Sequence, residues 1–373
     1  MFKYLALSDV HLGHPRNSTS NIIKNLDTFF NYFSKYTDLD ALFIAGDLFD
    51  TLIDNHTSDY HEIVIWIHRL MDFCTRNSIR LRVLEGTPSH DWGQSKIFDT
   101  LAEISDTSLD IKYINSIYIE FLEDKGIYIL YVPDEAMENA EATYNYILKL
   151  MKDLSISKVD IAIMHGMFGY QMNNVITNQT HNEQAYLDIV RFYIHIGHIH
   201  SHSVYKRIIA QGSFDRLAHG EEEDKGAILA TIEPFTHNTS YEFIVNKDSK
   251  VFKTISIPKA YTLDEALEKL DKHINKLPIN SYVRIKANKN HVVYQAFKEL
   301  EKRYLDYYLS KKNEEDLVSD SKLLDDITET NISYEVITIL PSNISDLIVA
   351  NADLTNLELS KLISTIDTVA TQI

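Results

Sequence analysis

Apolar and polar positions divide the first half of the chain into short runs and longer mixed stretches. Residues 2–7, 41–45, 80–84, 127–132 and 160–164 are apolar or β-branched over strand length, which predicts strands. Residues 21–36, 56–77 and 136–154 lie between them and read as helices. That alternation predicts a layered α/β domain. After His200 the texture changes. Residues 202–210 and 227–233 read as strands on either side of a turn at Gln211-Gly212-Ser213, so the domain is expected to close with largely antiparallel pairing.

A domain boundary is expected at Pro234, giving a first domain of residues 1–233 and a second of residues 234–340. The second reads in β-α-β-α-β order, with strands at 241–245, 281–287 and 333–339 and helices at 262–275 and 291–307. Residues 310–330 are polar and acidic and read as a loop. Residues 341–373 form a tail with helices expected at 344–350 and 357–370. In the last of these, Leu359, Leu362, Ile363, Ile366, Val369 and Ala370 follow helical spacing and make one side apolar, with Thr355 placed to cap the start.

The apolar runs end in acids and histidines. In order these are Asp9-Val10-His11, Gly46-Asp47, Ser89-His90-Asp91, His165-Gly166 and Gly197-His198-Ile199-His200. Asp9 and His11 are two residues apart, so in extended backbone both point to one face and can grip one ion. Gly46 lets the backbone turn tightly, and Asp47 behind it can bridge two cations about 3.5–4 Å apart. His198 and His200 share a face, and His165 closes its own run. Unpaired charges and imidazoles at strand ends cost stability unless something binds them. The set therefore reads as a two-metal hydrolytic site. His14, His56, His61, His68, His181, His195, His202 and His219 lack such placement and read as ordinary surface or core histidines. Ser89, His90 and Asp91 are no serine-hydrolase triad, because adjacent residues cannot form its spatial relay.

Composition narrows the class. A chain of 373 residues with 45% hydrophobic content is long enough for two or three globular domains. Cys74 is the only cysteine, which excludes an intrachain disulfide or a thiolate zinc site and suits a reducing compartment. No run approaches membrane-span length and the N-terminal apolar stretch is too short for a signal peptide, so a cytoplasmic protein is expected, with no membrane association. The 36 Lys and Arg against 54 Asp and Glu leave a formal charge of −18. That argues against nucleic-acid binding through a generally basic surface, but bound divalent ions or local patches can supply positive charge where it is needed.

The ordered motifs resemble those of the calcineurin-like metallophosphoesterases. Gly46-Asp47-Leu48-Phe49, Gly212-Ser213, Gly220-Glu221 and Lys225-Gly226 are most similar to the SbcD branch, the nuclease subunit of DNA double-strand-break repair complexes. The motif resemblance covers residues 1–232, with a fainter match to that family's capping domain as far as 340. It implies two central sheets flanked by helices, a smaller α+β capping domain and a helical tail. The first metal would take Asp9, His11, Asp47 and His200, and the second Asp47, His165, His198 and one more group. The family's asparagine at that last position corresponds to Ser89 here. His90 matches the family's catalytic histidine, with Asp91 placed to orient it, and Asp50 replaces the histidine that follows Gly-Asp-Leu-Phe. The implied activity is a manganese-dependent DNA exonuclease or endonuclease, working as a homodimer within a heterotetramer with an SbcC-type ATPase docked on residues 341–373. A phosphoesterase acting on phosphoproteins or small phosphate esters shares the same metal core. A catalytically weakened scaffold is the third reading, raised by Ser89 and the acidic balance.

Overall fold

The computed structural model describes residues 1–33, 38–105, 110–171 and 177–314. Its main body is an α/β sandwich of two six-stranded sheets. The first sheet is built from β1 (Phe2–Leu7), β2 (Ala41–Ala45), β3 (Arg80–Leu84) and β4 (Ile111–Ile114), which run parallel. The second is built from β5 (Tyr118–Leu122), β6 (Ile127–Val132), β7 (Ile161–His165), β8 (Ile194–Gly197), β9 (Ser203–Tyr205) and β10 (Ile208–Ala210). Here β6, β7, β8 and β10 are parallel, with β5 and β9 antiparallel at the two edges.

The continuous apolar runs of the sequence follow from burial on both faces of each sheet. In β1, Phe2, Tyr4 and Ala6 point into the core between the sheets. Leu5 and Leu7 point the other way, toward α1 (Thr19–Phe33) and α2 (Ser58–Arg76). β7 repeats the arrangement: Ile161 and Ile163 face the opposite sheet, while Ala162 and Met164 meet Ile147 and Met151 of α5 (Ala140–Asp153). Period-two side chains thus fill three stacked layers of core. Thr57 and Asn139 cap α2 and α5 by accepting from Tyr60 N and Ala142 N. Three further helices, α3 (Pro88–Asp91), α4 (Ile97–Ser105) and α6 (Glu183–Ile189), complete this part.

Pro234 marks a hairpin turn, not a linker between domains. β11 (Gly226–Glu233) and β12 (Asn238–Val245) pair in register from Gly226 opposite Val245 to Glu233 opposite Asn238, and β11 pairs with β1. The turn closes through His237 N to Glu233 O, with His237 at φ +59. β12 is an edge strand with an exposed, polar first half, which gives it the look of a new unit. The expected strand at 241–245 therefore belongs to the first sheet.

A smaller parallel sheet follows, made of β13 (Phe252–Ser256), β14 (Tyr282–Ala287) and β15 (Tyr308–Asn313). Its connections contain α7 (Leu263–Ile274), α8 (Val292–Gln295) and α9 (Phe297–Arg303). Ile255, Val283, Ile285 and Ala287 pack on Ala266, Leu270, Ile274 and Leu300. Thr262 and Glu265 start α7 with a reciprocal capping box. β15 occupies the beginning of the expected acidic loop. The rest of that loop, the strand expected at 333–339 and both tail helices lie outside the described residues. No helix among the described residues is long and apolar enough to cross a membrane.

Candidate metal centre

The ends of β1, β2, β3, β7 and β8 converge, and each delivers polar side chains to one place. Backbone bonds zip the first two loops together: Asp9 N donates to Gly46 O, and Val10 N and His11 N both donate to Asp47 O. Asp9, His11 and Asp47 have φ of +51, +54 and +49, and His198 has +95. Left-handed backbone at four non-glycine residues is strain of the kind that collects at functional sites. The extended geometry expected between Asp9 and His11 is thus absent, and the tight turn brings them together instead. Gly46, at φ +84, is required twice over, since a Cβ there would overlap the His165 ring.

Among the described residues three trios could each hold a metal ion: Asp9 with His11 and His200, Asp47 with His165 and His198, and His11 with Asp50 and His90, the last sharing His11 with the first. Asp47 stands between the first two, with Oδ2 3.2 Å from His165 Nε2 and 3.9 Å from His11 Nε2. In the first trio the His11 and His200 Nε2 atoms face each other at 3.0 Å. His200 Nδ1 is 3.0 Å from Glu221 Oε1 and donates to it. His11 Nδ1 lies 3.1 Å from Asp50 Oδ1, at an angle that makes no hydrogen bond but favours a proton on that nitrogen. With those protons on Nδ1, both Nε2 lone pairs can serve one cation, with Asp9 as its third ligand.

The second trio is held differently. His165 Nδ1 donates to Ala45 O at 2.7 Å, which leaves Nε2 for Asp47. Burial opposes charge on this ring, yet Asp47, Asp9 and Asp134 raise its pKa well above the ordinary value. Asp47 shows the converse: burial opposes its ionisation, but His165 and His11 hold its carboxyl well below the usual range. Both shifts come chiefly from one contact, the His165–Asp47 pair at 3.2 Å. The mixed carboxylate and imidazole donors suit manganese, iron or zinc.

Ser89 is not in the site. It is exposed on α3, and its carbonyl accepts from the Trp92 indole. The hydroxyl that enters is Thr87, whose Oγ1 is 3.2 Å from His198 Nδ1, 3.3 Å from Asp47 Oδ2 and 3.4 Å from His165 Nε2. Thr87 follows Gly86 at the end of β3 as Asp47 follows Gly46 at the end of β2, and the two residues Pro88 and Ser89 separate it from His90. Asp134 also enters, unexpected from the sequence, with Oδ2 3.3 Å from Thr87 Oγ1 and 3.7 Å from His198 Nδ1.

His90 lies beside the first trio, its ring edge-on to His11 at 5.1 Å. Its Nδ1 donates to Asp50 O at 2.7 Å, so Nε2 is the nitrogen available for proton exchange. Asp91 does not orient it. The fully buried Asp91 carboxylate accepts from Asp47 N, Phe49 N and Gly86 N, and so clamps the β2 and β3 loops. Burial and the nearby Asp47 charge push its pKa up to about 8, against those amide donors.

Glu221 and Lys225 support the first trio from behind. Lys225, 1% exposed, donates to His200 O at 2.8 Å and pairs with Glu221 Oε2 at 3.3 Å. Glu221 in turn accepts from Leu217 N and Ser213 Oγ.

No protein-family model and no curated protein matches the chain. Among solved structures, one chain matches with 12% identity and a TM-score of 0.39, over 64% of this chain and 98% of its own length. The protein TT1561 of Thermus thermophilus matches with 12% identity and a TM-score of 0.36, over 65% of this chain and 98% of its own. At that identity and TM-score the likeness says nothing about activity.

Proposed function

We propose that the chain is a calcineurin-like metallophosphoesterase that binds two divalent ions, manganese first among them, and hydrolyses phosphodiesters of DNA. The observation that carries this is Asp47 between two metal-competent trios at converging strand ends. Ions held there would supply positive charge to a phosphodiester and lower the pKa of water enough to make hydroxide available at neutral pH. Asp9, His11 and His200 would hold one, and Asp47, His165 and His198 the other. His90, fixed through Nδ1, offers Nε2 to protonate the departing oxygen.

A feature of the small sheet supports nucleic acid over a small ester. Phe252, Tyr282 and Tyr308 are in register across β13, β14 and β15 and stack at 4.9 and 4.7 Å between centroids. Lys250 sits over the Tyr282 ring at 5.1 Å, and Arg284 and Lys286 follow on the same face of β14. Phe252 is buried under His219, so the accessible part of the row is Tyr282 and Tyr308; exposed rings with cations beside them suit single-stranded nucleic acid, and they concentrate positive charge in an acidic chain. The sheet would act as the family's capping domain. The SbcC-type ATPase, the heterotetramer and the cytoplasmic setting belong to the same proposal, with docking through residues 341–373.

Manganese-dependent release of nucleotides from single-stranded or duplex DNA, lost in Asp47→Ala, is the expected result. Purified protein that cleaves a small phosphodiester but no DNA would favour the phosphoesterase reading instead.

A further inference from the structure

Thr87 is a weak ligand by itself. A neutral hydroxyl carries one proton, and two carboxylates compete for it here: Asp47 Oδ2 and Asp134 Oδ2, each 3.3 Å away. Metal–ligand bonds of about 2.0–2.2 Å place neighbouring donor atoms on one ion roughly 3.0–3.5 Å apart. Thr87 Oγ1 stands at that spacing from Asp47 Oδ2, His198 Nδ1 and His165 Nε2, so it occupies a ligand position around the second trio. Once Asp47 Oδ2 is turned to a cation it cannot also take the hydroxyl proton. Asp134 is the acceptor that remains. It follows Pro133 directly after β6, and Glu135 N donates to its Oδ1 at 3.0 Å, which leaves Oδ2 for Thr87. The side chain is only 10% exposed.

We propose that Thr87 and Asp134 work as a pair at the second metal position: Asp134 takes the hydroxyl proton in a hydrogen bond, and Thr87 thereby turns its oxygen lone pairs to the ion. Asp134 is thus a positioning residue that gives a hydroxyl the donor strength the site needs. The inference rests on the two-metal reading above and adds to it two residues from β-strand ends outside the five motifs.

The test is a calorimetric titration of the full chain with Mn²⁺ alone, resolving both binding steps. Asp134→Asn is expected to weaken the second step about 10–100-fold, the usual effect of losing a partner behind a ligand, and to leave the first step unchanged. Thr87→Val is expected to weaken the same step at least as much, and Thr87→Ser to bind as wild type. The double variant Thr87→Val/Asp134→Asn should be no weaker than Thr87→Val, because Asp134 acts only through the hydroxyl. Effects that multiply in the double variant would overturn the pairing and assign Asp134 to His198. An unchanged second step in Asp134→Asn, or a Thr87→Ser variant as weak as Thr87→Val, would overturn it too. Wild-type protein that binds no Mn²⁺ would remove the metal centre itself, an outcome separate from all of these.

Discussion

Two clusters of buried charge lie in the sandwich, and they are built on opposite rules. The first joins Arg82 of β3 to Glu120 of β5, and so ties one sheet to the other. Arg82 makes two 2.8 Å bonds to the Glu120 carboxylate and two more to the Leu81 and Asp110 carbonyls. Tyr131 and Lys112 complete the carboxylate. Every charge there has a protein partner. In the candidate metal centre, by contrast, carboxylates outnumber fixed cations and two imidazole nitrogens, His11 Nε2 and His200 Nε2, face each other at 3.0 Å. A buried charge set that satisfies itself is structural, whereas one with carboxylates and imidazoles left over can hold a cation.

The sharpest way to test that difference is to remove one group from each cluster. His90→Ala should lower phosphodiester cleavage by ~10²–10⁴, the usual loss of a general acid, with manganese content unchanged. Loss of bound manganese along with activity would place His90 among the ligands instead. Glu120→Ala should do the reverse, lowering stability by about 3–5 kcal/mol through loss of the buried partner of Arg82, toward the low end because Asp110 still pairs with Arg82. Manganese affinity should not move. The pH dependence has a definite sign. Burial opposes ionisation of Glu120, but Arg82, Lys112 and Tyr131 hold its pKa down to about 2, against an ordinary 4.5. Its contribution is therefore complete above 4.5 and is lost as pH falls toward 2. Acid melting curves of Glu120→Ala should fall less steeply over that window than those of wild type.

Metal should stabilise one cluster's surroundings and not the other's. Manganese at 100 times its dissociation constant adds ~2.7 kcal/mol per site, seen as a raised Tm. The rise should persist in Glu120→Ala and shrink in Asp47→Ala, which removes a ligand of the second trio. A Tm insensitive to manganese in wild type would break the comparison.

Much of this was legible in the chain because strands buried on both faces leave continuous apolar runs. The ends of β1, β2 and β3 coincide with such runs, and so do the acids and histidines just beyond them. The misplacements have local causes. Counting back from His90 selects Ser89, whereas counting forward from the end of β3 selects Thr87, since Pro88 and Ser89 lengthen the loop. Asp134 stands as close behind β6 as Asp9 does behind β1, but in Val132-Pro133-Asp134-Glu135 it has no histidine beside it and belongs to no motif. β4 and β5 escape because their residues are partly exposed, Tyr118 and Phe121 among them. The role of Asp91 was beyond sequence reasoning, because an acid beside a histidine in the chain can turn wholly toward backbone amides.

Glu221 joins the two rules and supports the smallest of the expected effects. Its Oε2 is satisfied inside the protein by Lys225, Ser213 and Leu217 N, like the Glu120 carboxylate. Its Oε1 instead fixes the proton of His200 on Nδ1, which directs Nε2 to the first metal position. Glu221→Gln keeps the shape and can still accept through its amide oxygen, but it removes the charge that makes His200 a stronger donor. Manganese affinity at the first site should fall about 10–100-fold, as for other partners behind metal-binding histidines, with the second site unaffected. Calorimetric titration beside the wild type resolves the two. Equal weakening at both sites would mean that Glu221 shapes the pocket as a whole, and no weakening would place it with Glu120 as a purely structural charge.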